Sequence, residues 1–162
     1  MLLGSIRTTA QPLVKPGLTD YRAAANQRRE MDMVTARDLS RMSAERIKAH
    51  DRTGWLALFA DDAFIQDPVG PSVFDPEGKG HHGKEGVARF YDMAIAPNKD
   101  VTFEVHKSHL CGDEVANVVT LHITMADDTK VNLDCVICYR RSPDDKIASL
   151  RAFWETASVP GF

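Results

Sequence analysis

One acid is set apart by its neighbours. In Ile65-Gln66-Asp67-Pro68-Val69-Gly70, Asp67 ends a short apolar run and directly precedes a proline. Aspartate before proline is a common turn former. The same placement also puts a carboxylate at the end of a strand, a rigid element, with Ile65, Val69 and Phe74 as apolar neighbours. Burial makes the charged form costlier, so a carboxyl there becomes a competent proton acceptor. The residues alone leave both readings open.

The other groups able to do chemistry are less well arranged. Cys135 and Cys138 form a C-x-x-C. They fall in a predicted strand, where residues three apart point to opposite faces, and a structural zinc site usually takes four protein ligands. The chain has six histidines. His106 and His109 share one predicted strand, His122 lies on the next, and His81-His82 sit in a loop; no H-x-H or H-E-x-x-H spacing occurs. No metal site is expected. There is also no nucleophile elbow and no phosphate-cradling glycine loop.

Composition narrows the class. The chain of 162 residues suits one domain, and 43% hydrophobic residues can build a core. A net charge of −3 and a pI of about 6.0 argue against a nucleic-acid surface. Arg28-Arg29 and Arg140-Arg141 read as solvated surface. No apolar run approaches the ~20 residues of a membrane span, and the first residues lack the apolar core of a signal peptide. Three cysteines, an odd number, suggest no disulfide framework, so a reducing cytoplasm is the expected location.

These groups must be positioned by the elements around them. Residues 1–34 are polar, carry Pro12, Pro16 and Gly17, and read as a mobile extension; Met31 and Met33 are alternative starts. Thr35 and Asp38 mark a helix start, and Leu39, Met42 and Ile47 carry the helix to about His50. A second, short helix holds Trp55, Leu56, Leu58 and Phe59 and closes at Asp61-Asp62. Then "AFIQ" reads as a short strand ending at Asp67. The proline- and glycine-rich stretch from Pro68 to Gly83 predicts a long structured loop, such as a lid or rim. Val87, Phe90, Tyr91 and Ile95 share one face of a third helix. After Pro97 the period becomes two, and four consecutive strands follow as an antiparallel meander. The result is an α+β fold with helices covering one face of a curved sheet. The folded domain is expected over 35–158, with a short tail over 159–162.

The stretch "WLALFADDAFIQDPVG" resembles the ketosteroid isomerase family, within the nuclear transport factor 2-like (SnoaL-like) superfamily. "LFADDA" followed by "DPVG" carries the resemblance most strongly. "GKEGVARFYD" is similar to the family's third helix and "DKIASLRAFWE" to its last strand. The loop "GPSVFDPEGKGHHG" points to an actinobacterial-type branch. The resemblance spans about Asp38 to Thr156. It implies a cone-shaped fold, a strongly curved and mostly antiparallel sheet wrapped around the N-terminal helices and enclosing an apolar pocket. It also implies homodimers built through the outer sheet face.

For activity, the resemblance implies a cofactor-independent isomerase that moves a double bond in a flat, apolar, steroid-like ketone. Asp67 matches the general base, taking a proton from the carbon beside the ketone and returning it further along. No cofactor is needed, because the ketone is its own electron sink. The family normally stabilises the resulting oxyanion with a tyrosine and a protonated aspartic acid. Here those positions fall on Ser43 and Ile137. Ser43 is a shorter, weaker donor and Ile137 donates nothing. Two replacements are available. Tyr139 shares a face with Ile137. Asp134 is a displaced acid only if a bulge turns it inward. Phe59, Val69, Phe90 and Trp154 match apolar lining positions. The missing donors keep two alternatives open, a non-catalytic steroid or polyketide-type binding protein and a SnoaL-like cyclase or hydratase.

Overall fold

A computed structural model of the chain describes residues 33–156. The expected extension up to residue 32 and the expected tail lie outside the described residues. Helix α1 spans Ala36–Lys48 and starts at a capping box. The Asp38 amide donates to Thr35 Oγ1 at 3.1 Å, and the Thr35 amide donates to Asp38 Oδ2 at 3.0 Å. Each acceptor satisfies an amide that the helix start would otherwise leave unpaired. Leu39, Ser43 and Ile47, four residues apart, form its buried face. Helix α2, Arg52–Ala57, is capped by Asp51, whose Oδ1 accepts from the Gly54 amide at 2.8 Å.

Strand β1 spans Phe59–Gln66. It therefore begins earlier than the sequence suggests, and Asp61-Asp62 lie inside it instead of closing α2. The physical reason is a slip in its pairing between Phe59 and Phe64. The slip turns both acids to solvent while Phe59 and Ala63 on either side stay buried. Two adjacent exposed acids look like a helix end in sequence, and a bulged strand exposes them equally well. His81-His82, expected in a loop, form a two-residue strand β2 that pairs antiparallel with β1 at Phe64 and Ile65. Helix α3, Gly83–Phe90, runs on through a π-helical turn at Tyr91–Ile95. Its predicted apolar face is the one buried: Val87, Phe90, Tyr91 and Ile95.

Strands β3 (Asp100–Cys111), β4 (Glu114–Thr124), β5 (Lys130–Arg141) and β6 (Ile147–Phe153) are the four-strand meander. The six-stranded sheet has the order β2-β1-β6-β5-β4-β3. Only β1 and β6 run parallel; every other neighbouring pair is antiparallel. Along β5, Val131, Leu133, Cys135, Ile137 and Tyr139 are buried while Asn132, Asp134 and Arg140 face water, the alternation that a one-sided sheet requires. Helix α1 packs against β3, β4 and β5, and α3 packs against β1. Trp55 anchors the layer between them. It is fully buried, with ring centroids 4.5 Å from Phe59 and 5.2 Å from Tyr91.

Candidate active site

The inner face of the sheet encloses a cavity of about 210 Å³, and Asp67 and Tyr139 both line it. Its walls are otherwise almost wholly apolar, with Phe90, Phe103, Leu121, Leu133, Ile137 and Leu150 prominent. Strand pairing explains how one acid reaches it. The parallel register sets Gln66 of β1 beside Arg151 of β6. One residue on, the peptide Asp67-Pro68 is cis, and the Val69 amide donates to the Ala152 carbonyl at 2.8 Å. The chain leaving β1 is thus held against β6, and Asp67 sits at the held end.

Just beyond β6, Trp154 Nε1 donates to Asp67 Oδ1 at 2.6 Å. Asp67 keeps some accessible surface, but the residue lines the cavity, and its carboxyl is shielded from bulk water. Burial pushes its pKa up from 3.8 to about 6, and the Trp154 N–H pulls the other way by stabilising the carboxylate. The site therefore holds a carboxyl that exchanges a proton close to neutral pH. That is the range in which an acid works well as a general base.

Tyr139 is almost fully buried on β5. Its hydroxyl donates to Ser43 Oγ at 3.4 Å, and Trp55 Nε1 donates to the same oxygen at 2.8 Å. Burial pushes the phenol pKa above its ordinary value, and the charge of Asp67 adds to the effect. The phenol is therefore a neutral O–H donor at physiological pH.

The remaining expected site residues divide. Phe90, Ile137 and Trp154 line the cavity with Asp67 and Tyr139. Ser43, Phe59 and Val69 are not among its lining residues, which corrects three substrate contacts. Ser43 is fully buried behind the Tyr139 hydroxyl. Phe59 is packed against Trp55 as core. Val69 uses its backbone to hold the strand end. Asp134 is corrected as well. It is exposed on the opposite sheet face, where Thr120 Oγ1 donates to it at 2.5 Å. The β4–β5 pairing runs without a slip from Glu114–Arg140 to Thr124–Lys130, so no bulge turns Asp134 inward.

Phe74, read from the sequence as an apolar neighbour of Asp67 but not as a lining residue, reaches from the 68–80 loop into the cavity wall and meets Phe90 edge-on at 6.3 Å. A lone aromatic in a proline- and glycine-rich loop was the available signal. Cys135 is buried and Cys138 half-buried on the other face. Burial and the nearby charge of Asp67 push the Cys135 thiol up to about 12, which leaves it inert. Among the described residues no group of three or more His, Cys, Asp or Glu gathers to hold a metal. No helix among them is long and apolar enough to cross a membrane.

Among the described residues, a six-stranded mixed sheet with three helices packed on its inner face, and a water-shielded carboxyl in an apolar cavity, define an α+β pocket protein. The chain belongs to the SnoaL-like domain family, whose model matches residues 39–150, and it has the cone-like fold of the nuclear transport factor 2-like superfamily. Among solved structures it is similar to RV0760c from Mycobacterium tuberculosis in complex with estradiol-17beta-hemisuccinate. That match has 36% identity over 76% of this chain and 95% of that one, with a TM-score of 0.71. It is also similar to the Delta 5-3-ketosteroid isomerase from Mycobacterium sp., with 32% identity over 74% of this chain and 92% of that one, at a TM-score of 0.70. A computationally designed 17-OHP binder matches with 34% identity over 76% and 95% of the two chains, at 0.71. No curated protein matches the chain.

Proposed function

We propose that the protein is a cofactor-independent isomerase that moves a double bond in a flat, apolar, steroid-like ketone. The observation that carries this reading is Asp67, a carboxyl with a pKa of about 6 lining an apolar cavity. In its ionised form Asp67 takes the proton from the carbon beside the ketone. The electron pair left behind moves onto the ketone oxygen, giving a dienolate. The protonated carboxyl then returns the proton to the far carbon of the conjugated system, and the ketone re-forms. Trp154 holds Asp67 in place through its N–H, and Tyr139 is the O–H donor available to the dienolate oxygen. The named isomerase and the two steroid-related neighbours support the substrate class.

One observation favours a second reading, a steroid-binding protein without fast chemistry. Ile137 lines the cavity at the position where the resemblance expects an acid donor, so the oxyanion has one donor instead of two. Losing one such donor costs about 2.7–4 kcal/mol of transition-state stabilisation. A direct assay separates the readings. The purified protein is mixed with a Δ5-3-ketosteroid, the class in the name of the mycobacterial relative, and the conjugated enone is followed by absorbance. Turnover that Asp67→Asn abolishes establishes the isomerase. Saturable binding without turnover establishes the carrier. Neither binding nor turnover removes both.

The same reading includes a homodimer through the outer sheet face. Val118, Val136 and Phe153 are cross-strand neighbours in a row across that face. Val118 is 38% exposed and Phe153 42%, an apolar band that a second copy would cover. Light scattering on the eluting protein tests it, and a monomer at all concentrations would refute it.

A further inference from the structure

The hydrogen bonds around Ser43 have a direction, and the direction bears on what the cavity recognises. Trp55 Nε1 donates to Ser43 Oγ at 2.8 Å. An indole nitrogen only donates, so this link cannot reverse. Ser43 and Tyr139 are both hydroxyls, 3.4 Å apart, and each can donate or accept. Between them only one proton can lie on the shared line. In the structure the phenol donates to Ser43 over that long distance. Ser43 is then the acceptor in both of these bonds, and its own proton is left over. All three side chains are buried, where leaving a donor without an acceptor is costly.

A ligand oxygen in the cavity resolves this. We propose that Trp55, Ser43 and Tyr139 form a one-way donor relay. When a ketone oxygen binds, the phenol turns its proton to that oxygen, and Ser43 turns its own proton to the phenol oxygen. The order is then Trp55 N–H to Ser43, Ser43 O–H to Tyr139, and Tyr139 O–H to the ligand. Each donor in such a chain polarises the next, and the effect is strongest where the dielectric is low. Only proton positions change, so no atom or charge is gained or lost. Ser43 is thus a positioning residue that never touches the ligand, and the relay selects an oxygen that accepts a proton and has none to give. The relay rests on the proposed ketone reading and deepens it, because it replaces the donor pair missing at Ser43 and Ile137 with one strengthened donor.

The test uses two steroid probes that differ only at ring A, a conjugated ketone and its deoxy counterpart. Their affinities are measured together with the infrared carbonyl stretch of the bound ketone. The unmodified protein is expected to bind the ketone about five- to tenfold more tightly than the deoxy probe, the worth of one net hydrogen bond, and to lower the stretch. Tyr139→Phe is expected to abolish both effects. Ser43→Ala discriminates. If Ser43 merely competed for the phenol proton, its removal would free the phenol, and the ketone would bind as tightly or more tightly with an equal or larger shift. The relay requires the opposite, a smaller shift and a reduced preference for the ketone, with deoxy binding unchanged.

Ser43→Cys, which keeps the size but donates weakly, is expected to fall between and serves if the alanine variant does not fold. An unchanged or larger shift in these variants overturns the relay, as does equal affinity of the unmodified protein for the two probes. The isomerase reading is tested apart from this. An absence of turnover with a normal, Ser43-dependent shift refutes the isomerase and leaves the relay standing. Turnover with a shift indifferent to Ser43 does the reverse.

Discussion

Each side of the sheet has an aspartate, and the two sides do different things with it. On the inner face, Asp67 accepts from Trp154 among the described residues and faces mostly apolar walls. On the outer face, Glu104, His106, Thr120, His122, Asn132 and Asp134 form a connected polar cluster. His122 Nδ1 lies 2.8 Å from Asn132 Oδ1, and its Nε2 lies 3.1 Å from Glu104 Oε2. His106 Nε2 lies 2.8 Å from Thr120 Oγ1, which itself donates to Asp134. The outer cluster has more partners and more titratable groups, yet water screens every member. The inner carboxyl has fewer partners and a pKa of about 6, because desolvation outweighs the Trp154 hydrogen bond that opposes it. The number of hydrogen bonds does not mark the reactive group; exclusion of water from it does.

The largest test of that contrast removes the inner charge. Asp67→Asn keeps the shape and an acceptor for the Trp154 N–H but cannot take a proton. Turnover of the ketosteroid is expected to fall by about 10²–10⁴-fold, the usual worth of a positioned base. A fall under threefold in the same absorbance assay would mean that the proton moves through another group. Ile137→Asp sharpens the comparison from the other side, by placing an acid on the dry face at the missing donor position. Desolvation there favours the protonated form, which donates. Turnover is expected to rise on the order of tenfold or more, approaching what one oxyanion donor contributes.

The contrast also has a stability side. The folded protein holds a proton on Asp67 with a pKa of about 6 against 3.8 when the group is unperturbed. This contribution is full below about pH 4, falls as the pH rises to about 6, and is gone above it. A shift of about two units corresponds to about 2–3 kcal/mol. Asp67→Asn is therefore expected to be more stable than the parent at pH 7–8 by about that much in urea unfolding, with the gain vanishing near pH 4. Catalysis runs the opposite way. Since the ionised form is the base, kcat/KM is expected to rise about tenfold per pH unit below 6 and level off above it. Trp154→Phe removes the N–H that favours the carboxylate. It is expected to move the midpoint of that profile upward by about one unit, so activity at pH 6 falls while the high-pH plateau persists.

Legibility in the sequence follows the same division. Asp67 was readable because its cues are local: an apolar run, a proline and a family motif within a few residues. The meander was readable because one-sided burial writes itself as alternation along β5. The extent of β1 was not, since a bulge and a helix end both expose Asp61 and Asp62. Phe59 and Val69 matched lining positions in the family pattern and Ser43 its tyrosine donor position, but reaching the cavity depends on which neighbour stands in front. Tyr139 covers Ser43, and Trp55 packs on Phe59. Phe74 reaches the cavity only through the path of a loop, which no period records.

The smallest expected effect is the most useful control. Asp134→Asn changes the same residue type, on the same sheet, by the same substitution as at Asp67. The amide keeps an oxygen for the Thr120 hydroxyl, and the site is exposed, so neither an unpaired buried group nor a lost charge in low dielectric results. Turnover is expected to stay within a factor of two, and the melting temperature within about 1–2 °C, with no change in the pH profile. A large loss of turnover would show that the outer cluster is coupled to the cavity through β5, and water exclusion would no longer separate the two faces. A shift in molecular mass without loss of turnover would assign Asp134 to contact between copies. An unchanged protein would leave one carboxylate, on the dry face, to account for the chemistry.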